Sequence, residues 1–251
     1  KLISLRYGAF ADDAKAMGID VKVVRTGNIF SDINNIIKIA VDGGYNILHT
    51  HGAKANMIGV FVKHKTKIPV VSTVHSDYRL DYLHSVLRMY TFGLINTIAL
   101  RLVDYYIAVS ENFKDMLIKR GFPAHSIYTV YNGIPFDNEI DIIPRSAFAE
   151  KYGIDLSPDD VVVGIAARLH PVKGHTVLLD AAAKVLKKHP NTKFLIAGSG
   201  DELKPTLEKK AIQLGISDNV FFLGWVTEPF SFFECIDINV LASYSESFPY
   251  V

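Results

Sequence analysis

The sequence predicts an α/β protein with parallel, doubly wound sheets in two domains. Short β-branched runs alternate with helical segments along most of the chain, which is typical of parallel sheets covered by helices. The length of 251 residues exceeds one typical domain. The composition changes once, over Phe136–Asp160, which is rich in Asp, Pro and Ile and has no sheet-like run. We interpret this stretch as the connection between the domains and place the boundary after Ile143.

Composition narrows the class of protein. Hydrophobic residues make up 49% of the chain and charged residues 21%, so a substantial core is available and global disorder is not expected. The net charge of +1 argues against a nucleic-acid binder, which needs a concentrated basic face. Cys235 is the only cysteine, which suits a reducing compartment. No apolar run is long enough for a membrane span, and Lys1 does not begin a signal peptide.

The first domain is expected to begin in a helix. Apolar residues recur at helical spacing over Leu2–Met17, and Gly18 follows as a stop. Ser31 is expected to cap the next helix. The other predicted elements of this domain are, in order, strand Ile19–Val24, the helix from Ser31 to Asp42, strand Asn46–His49, helix Ala53–Lys63, strand Pro69–Val74, strand Tyr105–Val109, a helix from Ser110 that ends at Gly121, and strand Ile127–Val130.

Tyr78–Val103 departs from this rhythm as a long helical stretch without a strand. It is consistent with a pair of packed helices. It is also consistent with a surface that faces an acceptor or grazes a membrane, because Arg79, Arg88 and Arg101 are interleaved with aromatic residues.

The second domain begins with the clearest strand of the chain. Val161–Ala166 is apolar and β-branched, as in a buried parallel strand, and Arg168, Lys173 and Gly174 follow it. Two cations between a strand's carboxyl end and a helix amino terminus suit a phosphate group, although a solvated loop could also carry them. The remaining predicted elements are helix Ser146–Tyr152, helix Thr176–Lys188, strand Lys193–Ala197, helix Glu202–Leu214, strand Asn219–Leu223, helix Pro229–Cys235 and strand Asp237–Leu241.

The loop Gly198-Ser199-Gly200 follows a strand and opens a helix, as in a dinucleotide-binding fingerprint. Leu203 occupies the third glycine position, and the next strand ends in Phe222-Leu223-Gly224 without an acid to bind a ribose. These departures argue against a nicotinamide site. The glycines indicate either a close approach by a ligand or a tight turn.

Three histidines follow two neighbouring predicted strands: His49, His51 and His75. They could bind zinc, donate hydrogen bonds to phosphate or sugar hydroxyls, or be purely structural. Asp77 is the one further ligand type nearby, and we therefore predict that no metal binds here.

The tail Ser245-Glu246-Ser247-Phe248 places a carboxylate after a strand, where it can accept hydrogen bonds from sugar hydroxyls or lie in an ordinary surface loop. Cys235 lies among Phe232, Phe233 and Ile236, which is typical of a core residue. The sequence has no nucleophile elbow, so nothing supports hydrolase chemistry.

Together these residues resemble the retaining glycosyltransferases of family 4, whose GT-B fold has two Rossmann-like domains facing across a cleft. The resemblance covers nearly the whole chain. The motifs that carry it are Arg168-Leu169…Lys173-Gly174, Ala197-Gly198-Ser199-Gly200, Asn132-Gly133-Ile134, Ser245-Glu246-Ser247-Phe248, His49-Thr50-His51 and Val74-His75-Ser76-Asp77.

The resemblance implies an acceptor-side domain over residues 1–143 and a nucleotide-sugar-binding domain over residues 144–251. Arg168 and Lys173 would hold the donor's diphosphate, Glu246 would contact donor-sugar hydroxyls, and His75 would face the sugar across the cleft. Further donor contacts are expected at Gly198, Gly200, Ser247 and Phe248, and contacts with sugar or acceptor at His49, His51 and Asn132.

The implied reaction is the retaining transfer of a hexosyl group from a nucleotide-diphosphate sugar to an acceptor hydroxyl, without a metal or other cofactor. The acceptor would be a saccharide or a lipid-linked saccharide in polysaccharide or glycolipid synthesis. The implied location is the cytoplasm, at the inner face of the membrane, with peripheral membrane contact. A nucleotide-sugar epimerase of the same fold and a non-catalytic nucleotide-sugar binder remain as alternatives.

The resemblance also implies that the chain is truncated at both ends. The family's first strand and glycine-rich loop should precede Lys1, and its second glutamate, usually a ribose ligand, would lie beyond Val251. We therefore expect little or no transferase activity from a polypeptide with these ends.

Overall fold

The computed structural model describes residues 1–79, 93–134, 141–200 and 202–251, and it has the parallel α/β fold that the sequence predicts. The chain separates into two units, Lys1–Asn132 and Gly133–Val251. This division lies before the predicted boundary after Ile143. The Ile143 N–H donates to Ser231 Oγ at 3.1 Å, which ties the end of the connecting stretch to the second unit. Residues 136–140 of that stretch lie outside the described residues.

The first unit contains a sheet in the order β3-β4-β5-β6 and a separate pair β1-β2, both parallel. The core lies between the four-stranded sheet and its helices, with Tyr106, Leu100 and Leu117 fully buried. The described elements are β1 (Leu2–Ser4), α1 (Ala9–Ala16), β2 (Val21–Val23), α2 (Ile29–Asp42), β3 (Leu48–His51), α3 (Ala53–Thr66), β4 (Val70–Val74), α4 (Leu94–Leu102), β5 (Tyr105–Ala108), α5 (Glu111–Lys119) and β6 (Ile127–Thr129).

Two predictions at the start of the chain are wrong. Leu2–Ser4 is a strand rather than part of a helix, because its backbone pairs in parallel with Val21–Val23. The predicted helical cap at Ser31 is also wrong, because Asn28 Oδ1 accepts from the N–H groups of Phe30 and Ser31. The helix therefore begins one turn earlier than predicted.

The predicted helical stretch Tyr78–Val103 is described only in part, because residues 80–92, including Arg88, lie outside the described residues. Its described helix is α4, whose Leu94, Ile98 and Leu102 are exposed. Arg101 lies over the Phe122 ring, with 4.5 Å from its Cζ to the ring centroid. Among the described residues, no helix combines the length and apolar character needed to span a membrane.

The second unit contains one parallel sheet in the order β10-β7-β8-β9. Helices pack on both faces, as two core clusters show, and Cys235 is buried among Phe148 and Phe232 as predicted. The described elements are α6 (Arg145–Lys151), β7 (Val161–Ala166), α7 (His175–Leu186), β8 (Thr192–Ala197), α8 (Lys204–Gln213), β9 (Val220–Gly224), α9 (Pro229–Cys235) and β10 (Ile238–Asn239).

His175 begins α7 and is 1% exposed. Burial lowers the pKa of His175 below its ordinary value of 6.5. A hydrogen bond with the Ala167 backbone opposes this change, and the positive charge of Lys173 lowers the pKa further. The imidazole is therefore neutral in the folded protein at pH 7.

The stability of the second unit should depend on His175. Above pH 6.5, the ordinary pKa, the ring is neutral in both folded and unfolded chains. As the pH falls toward the lowered pKa, only the unfolded chain takes up the proton, so the free energy of unfolding decreases. We expect urea unfolding at pH 7.5 and pH 5.5 to show a smaller loss of stability for His175→Leu than for the wild type. The exposed His189→Gln should behave as the wild type, and equal losses in all three proteins would contradict this account.

Candidate functional site

The pairing of β10 with β7 brings together residues that are far apart in sequence. Ile238 is in register with Val163, and Asn239 with Gly164. The Val240 N–H continues this ladder by donating to the Gly164 carbonyl oxygen at 2.9 Å. Because parallel strands end at the same edge of a sheet, the loops that follow β7 and β10 leave the sheet side by side.

Lys173 and Glu246 form an ion pair in these two loops, with 2.6 Å between Lys173 Nζ and Glu246 Oε1. Both side chains are about one-fifth exposed, at 23% and 22%. The Tyr244 N–H donates to the Val172 carbonyl oxygen at 2.8 Å and so fixes the loops to each other. The structure therefore joins two predicted residues that no sequence motif places in contact.

Gly174 is required where these loops meet. Its φ of +67° is in the left-handed region, and a Cβ at this position would lie 1.9 Å from the Ala242 carbonyl oxygen. Any larger residue would push the Glu246 loop away from Lys173.

Arg168 leaves the carboxyl end of β7 and is exposed. The next residue, Leu169, is buried at 5% and anchors the loop in the core. Within the part of the chain that the structure describes, no carboxylate forms an ion pair with Arg168. This guanidinium therefore differs from Lys173, whose charge is balanced by Glu246.

The glycine loop lies against the loop that carries Arg168. A Cβ on Gly198 would lie 2.1 Å from the Ala167 carbonyl oxygen, and a Cβ on Gly200 would lie 2.4 Å from the Leu169 carbonyl oxygen. The Leu169 N–H donates to the Ser199 carbonyl oxygen at 2.9 Å. Loop packing thus provides a reason for both glycines that sequence reasoning did not identify.

A cavity of about 280 Å³ lies beside Arg168, at the carboxyl ends of β7, β8 and β9. Its lining is mainly apolar and comprises Ala166, Ala167, Arg168, Ala197, Gly198, Ser199, Trp225, Val226, Pro229 and Phe232. A larger cavity of about 370 Å³ between α8 and β9 contains none of the predicted site residues.

Sequence reasoning missed Trp225 and Val226 at this cavity. Trp225 is the chain's only tryptophan and is 75% exposed, which is unusual for so large an apolar side chain. Its position directly after β9 was the available signal, because ligands of open parallel sheets bind at the carboxyl ends of the strands.

The other predicted contact residues also lie on loops that follow the carboxyl ends of strands. Ser247 and Phe248 follow Glu246 directly, and Phe248 is 38% exposed. In the first unit, Asn132 lies past the carboxyl end of β6, which is separated from β4 by β5. Asn132 is therefore on a different strand end from the three histidines.

The histidines form a chain of contacts in the first unit. The register of β3 and β4 pairs His49 with Val71 and His51 with Thr73, which places His75 next along the same face. His51 Nδ1 lies 2.8 Å from His75 Nε2, and their rings stack with centroids 5.1 Å apart. His49 Nε2 lies 2.7 Å from Thr73 Oγ1.

Desolvation lowers the pKa of all three histidines below 6.5, and the neighbouring imidazoles lower the pKa values of His49 and His75 further. The rings are therefore neutral at pH 7. A hydrogen bond between neutral His51 and His75 needs one donor and one acceptor nitrogen, which ties the tautomer of one ring to that of the other. Within the described residues, no group of three or more His, Cys, Asp or Glu side chains is placed to hold a metal ion.

Two family models match the chain, and their order follows the two structural units. The model for "Glycosyltransferase Family 4" covers residues 11–138, more than half of the chain. The model for "Glycosyl transferases group 1" covers residues 149–251. These models define a class of sugar-transferring proteins. The chain belongs to the family 4, group 1 glycosyltransferases.

Curated relatives are similar over most of this chain. An uncharacterised glycosyltransferase of Methanocaldococcus jannaschii is 28% identical over 81% of this chain and 53% of its own length. The capsular polysaccharide biosynthesis glycosyltransferase CapM of Staphylococcus aureus is 25% identical over 88% of this chain and 59% of its own length. A D-inositol 3-phosphate glycosyltransferase of Segniliparus rotundus is 26% identical over 81% of this chain and 47% of its own length. The chain thus spans about half the length of these relatives.

Solved structures share the fold. HepE of Anabaena in complex with UDP-glucose aligns with a TM-score of 0.80 at 21% identity, over 98% of this chain and 66% of its own. A glycosyltransferase of Rickettsia africae aligns with a TM-score of 0.70 at 19% identity, over 96% of this chain and 64% of its own. Both units have the Rossmann-like architecture of GT-B proteins, as the sequence predicts.

The packing role of Gly198 can be tested without any ligand. We expect Gly198→Ala to displace the Ala167–Leu169 loop and to accelerate amide hydrogen exchange at Leu169, whose N–H bonds to Ser199. Gly215→Ala is the matched control, because Gly215 also has a positive φ (+67°) but no atom within 4 Å of the added Cβ. Unchanged exchange at Leu169 in Gly198→Ala would contradict the packing role.

Proposed function

We propose that this chain carries the donor site of a retaining glycosyltransferase that transfers a hexosyl group from a nucleotide-diphosphate sugar to an acceptor hydroxyl without a metal. The observation that carries the proposal is the Lys173–Glu246 ion pair between the loops that follow β7 and β10, together with Arg168, which lies earlier in the β7 loop and lines the cavity at the carboxyl ends of β7, β8 and β9. These loops supply two cations and one carboxylate on a rigid sheet edge.

The two cations suit the diphosphate. Arg168 presents a planar set of donors, and Lys173 presents a compact charge. As the glycosidic bond to phosphate breaks, negative charge grows on the diphosphate. Fixed cations stabilise that charge more in the transition state than in the bound donor, and this difference accelerates the reaction.

We propose that Glu246 takes part both in binding the donor and in recognising the donor sugar. Its carboxylate balances the charge of Lys173 at 2.6 Å, and a diphosphate brings more negative charge to the same ammonium. When the diphosphate takes over Lys173, Glu246 can accept hydrogen bonds from donor-sugar hydroxyls. Donor binding and sugar recognition are then linked through one ion pair.

The apolar cavity beside Arg168 suits a nucleobase. Trp225 offers an exposed ring for stacking, and Ala167 and Ala197 leave room for a flat ligand. Support for a nucleotide comes from HepE, which was solved with UDP and with UDP-glucose and has the same fold. Gly198, Gly200, Ser247 and Phe248 are the further proposed donor contacts.

The proposed reaction retains the anomeric configuration by front-face displacement. The acceptor oxygen forms a bond to the sugar on the side from which the diphosphate leaves, and the hydroxyl proton passes to the leaving phosphate oxygen. The first unit would contribute His75 as a hydrogen-bonding group for the donor sugar, while His49, His51 and Asn132 are proposed for sugar or acceptor contacts.

The proposed acceptor is a saccharide or a lipid-linked saccharide. This part of the proposal is supported by the relatives, which include a capsular polysaccharide glycosyltransferase.

Substitution of the two cations tests the proposal. We expect Arg168→Ala and Lys173→Ala each to lower turnover roughly 100- to 1,000-fold, the effect of removing one charge-stabilising donor from a transition state. Lys188→Ala is the matched control, because Lys188 is an exposed lysine beyond the opposite end of the same helix, α7. Because the chain spans about half the length of its curated relatives, the assay should use the whole protein that contains it. It should include a panel of nucleotide sugars and separate transferred glycoside from altered donor sugar.

Each alternative gives a distinct result in this assay. Turnover that survives in both variants would rule out the diphosphate assignment. A changed donor sugar without transfer would indicate an epimerase, and a loss of donor affinity without any wild-type turnover would indicate a binding protein.

A further inference from the structure

We propose that Asp77 and Arg120 are positioning residues that hold the loop bearing His75. The inference rests on the proposed function in one respect, namely that His75 contacts the donor. Neither residue needs to touch a ligand. Their role would be to fix the backbone that leaves β4, so that the imidazole of His75 keeps its place beside His51.

Asp77 and Arg120 form a two-pronged ion pair. Arg120 Nη1 lies 2.7 Å from Asp77 Oδ1, and Arg120 Nη2 lies 2.7 Å from Asp77 Oδ2. Their side chains are only 18% and 13% exposed for Arg120 and Asp77. A bidentate, largely buried pair of this kind is directional, so it fixes orientation as well as distance.

Further contacts remove the remaining freedom of the loop. The Arg79 N–H donates to Asp77 Oδ1 at 3.0 Å, which closes the turn around the carboxylate. Tyr78, between them in sequence, is 3% exposed, and the Arg120 guanidinium lies over its ring at 5.0 Å from the centroid. The Tyr78 ring also packs edge-to-face with the Phe122 ring, with ring centroids 6.3 Å apart.

The other end of the pair is equally fixed. Arg120 caps the C-terminus of α5, where its N–H donates to carbonyl oxygens of the last helical turn. The carbonyl oxygens of Arg120 and Gly121 accept from the guanidinium of Arg101 on α4. Asp77 is thus tied to a point where two helices are already joined.

His75 needs such support because it lies just past the end of β4. Its hydrogen bond to His51 at 2.8 Å depends on where the backbone places the ring. Asp77 follows two residues later, and its ion pair with Arg120 ties the loop to the end of α5. If the anchor is lost, a displacement of about 1 Å at His75 would be enough to impair catalysis up to 100-fold.

The charge of Asp77 is maintained in the fold. Burial alone would raise the pKa of the Asp77 carboxyl, but the hydrogen bonds from Arg120 and from the Arg79 N–H outweigh it and lower the pKa. The hydrogen bonds that Arg120 donates to Asp77 raise the pKa of Arg120. The pair is therefore ionised at neutral pH.

The test is a comparison of three variants by nuclear magnetic resonance. Asp77→Asn removes the negative charge of the carboxylate. Arg120→Lys keeps the positive charge but replaces the two-pronged guanidinium with a single ammonium group. Asp104→Asn is the matched control, because the Lys63–Asp104 pair, at 2.7 Å, lies at the amino ends of β4 and β5 in the same sheet. Long-range ¹H–¹⁵N spectra of labelled histidines at pH 7.5 report the tautomers of His51 and His75 directly.

We expect the wild type and Asp104→Asn to show one tautomer at each ring. In Asp77→Asn and Arg120→Lys the ¹⁵N shifts of His75 should move toward those of a free, tautomer-averaged imidazole. Unchanged His75 shifts in both variants would overturn the proposal. An equal change in Asp104→Asn would also overturn it, because that result would indicate general loosening of the unit.

Turnover of the same variants, measured in the whole protein that contains this chain, separates this inference from the proposed function. We expect Asp77→Asn and Arg120→Lys to lower kcat/KM roughly 10- to 100-fold. If the wild type turns over donor and these variants match it, the positioning role fails while the proposed function stands. If the wild type shows no turnover but the His75 shifts change as expected, the proposed function fails while the positioning of His75 is supported.

Discussion

The candidate donor site depends on the parallel pairing of β10 with β7. β10 has only two residues, Ile238 and Asn239, yet its register determines where the following loop leaves the sheet. That loop carries Glu246 to Lys173, and Gly174 lies so close to Ala242 that a Cβ at position 174 would not fit. The chemistry of the site is therefore set by backbone hydrogen bonds, to which the functional side chains add an ion pair.

In the first unit, strand register likewise brings together residues that are far apart in sequence, and these residues are histidines. The register of β3 and β4 aligns His51 with Thr73, and this alignment brings His51 to His75. Strand pairing fixes the position of a residue only as far as the edge of the sheet, however. The loop that follows the strand needs a further contact to hold it in place. The Asp77–Arg120 pair has the geometry of such an anchor, just as the glycine loop at Gly198 supports the loop of Arg168 in the second unit.

Most of this fold could be predicted from local patterns. Val161–Ala166 depends on its own apolar residues, and the helix predicted from Ser110 begins there because the Ser110 side chain accepts a hydrogen bond from the Phe113 N–H. Leu2–Ser4 could not be predicted in this way, since a three-residue strand exists only through its partner β2. The candidate site divides in the same way. Arg168, Lys173 and Glu246 were identified as single residues, but the ion pair between the last two requires knowledge of strand order. Trp225 was missed although its position directly after β9 places it at the carboxyl edge of the sheet, because its exposure depends on how the following loop packs.

We propose that Arg168 and Lys173 bind a diphosphate, and calorimetric titration with UDP and UMP measures this preference. The two ligands share base and ribose and differ by one phosphate. We predict that the wild type prefers UDP by about tenfold or more, since a hydrogen bond to a charged group contributes about 1.5–3 kcal/mol. The preference should largely disappear when both cations are replaced by alanine. Equal affinity for UDP and UMP, or a preference that survives in the double variant, would contradict the account.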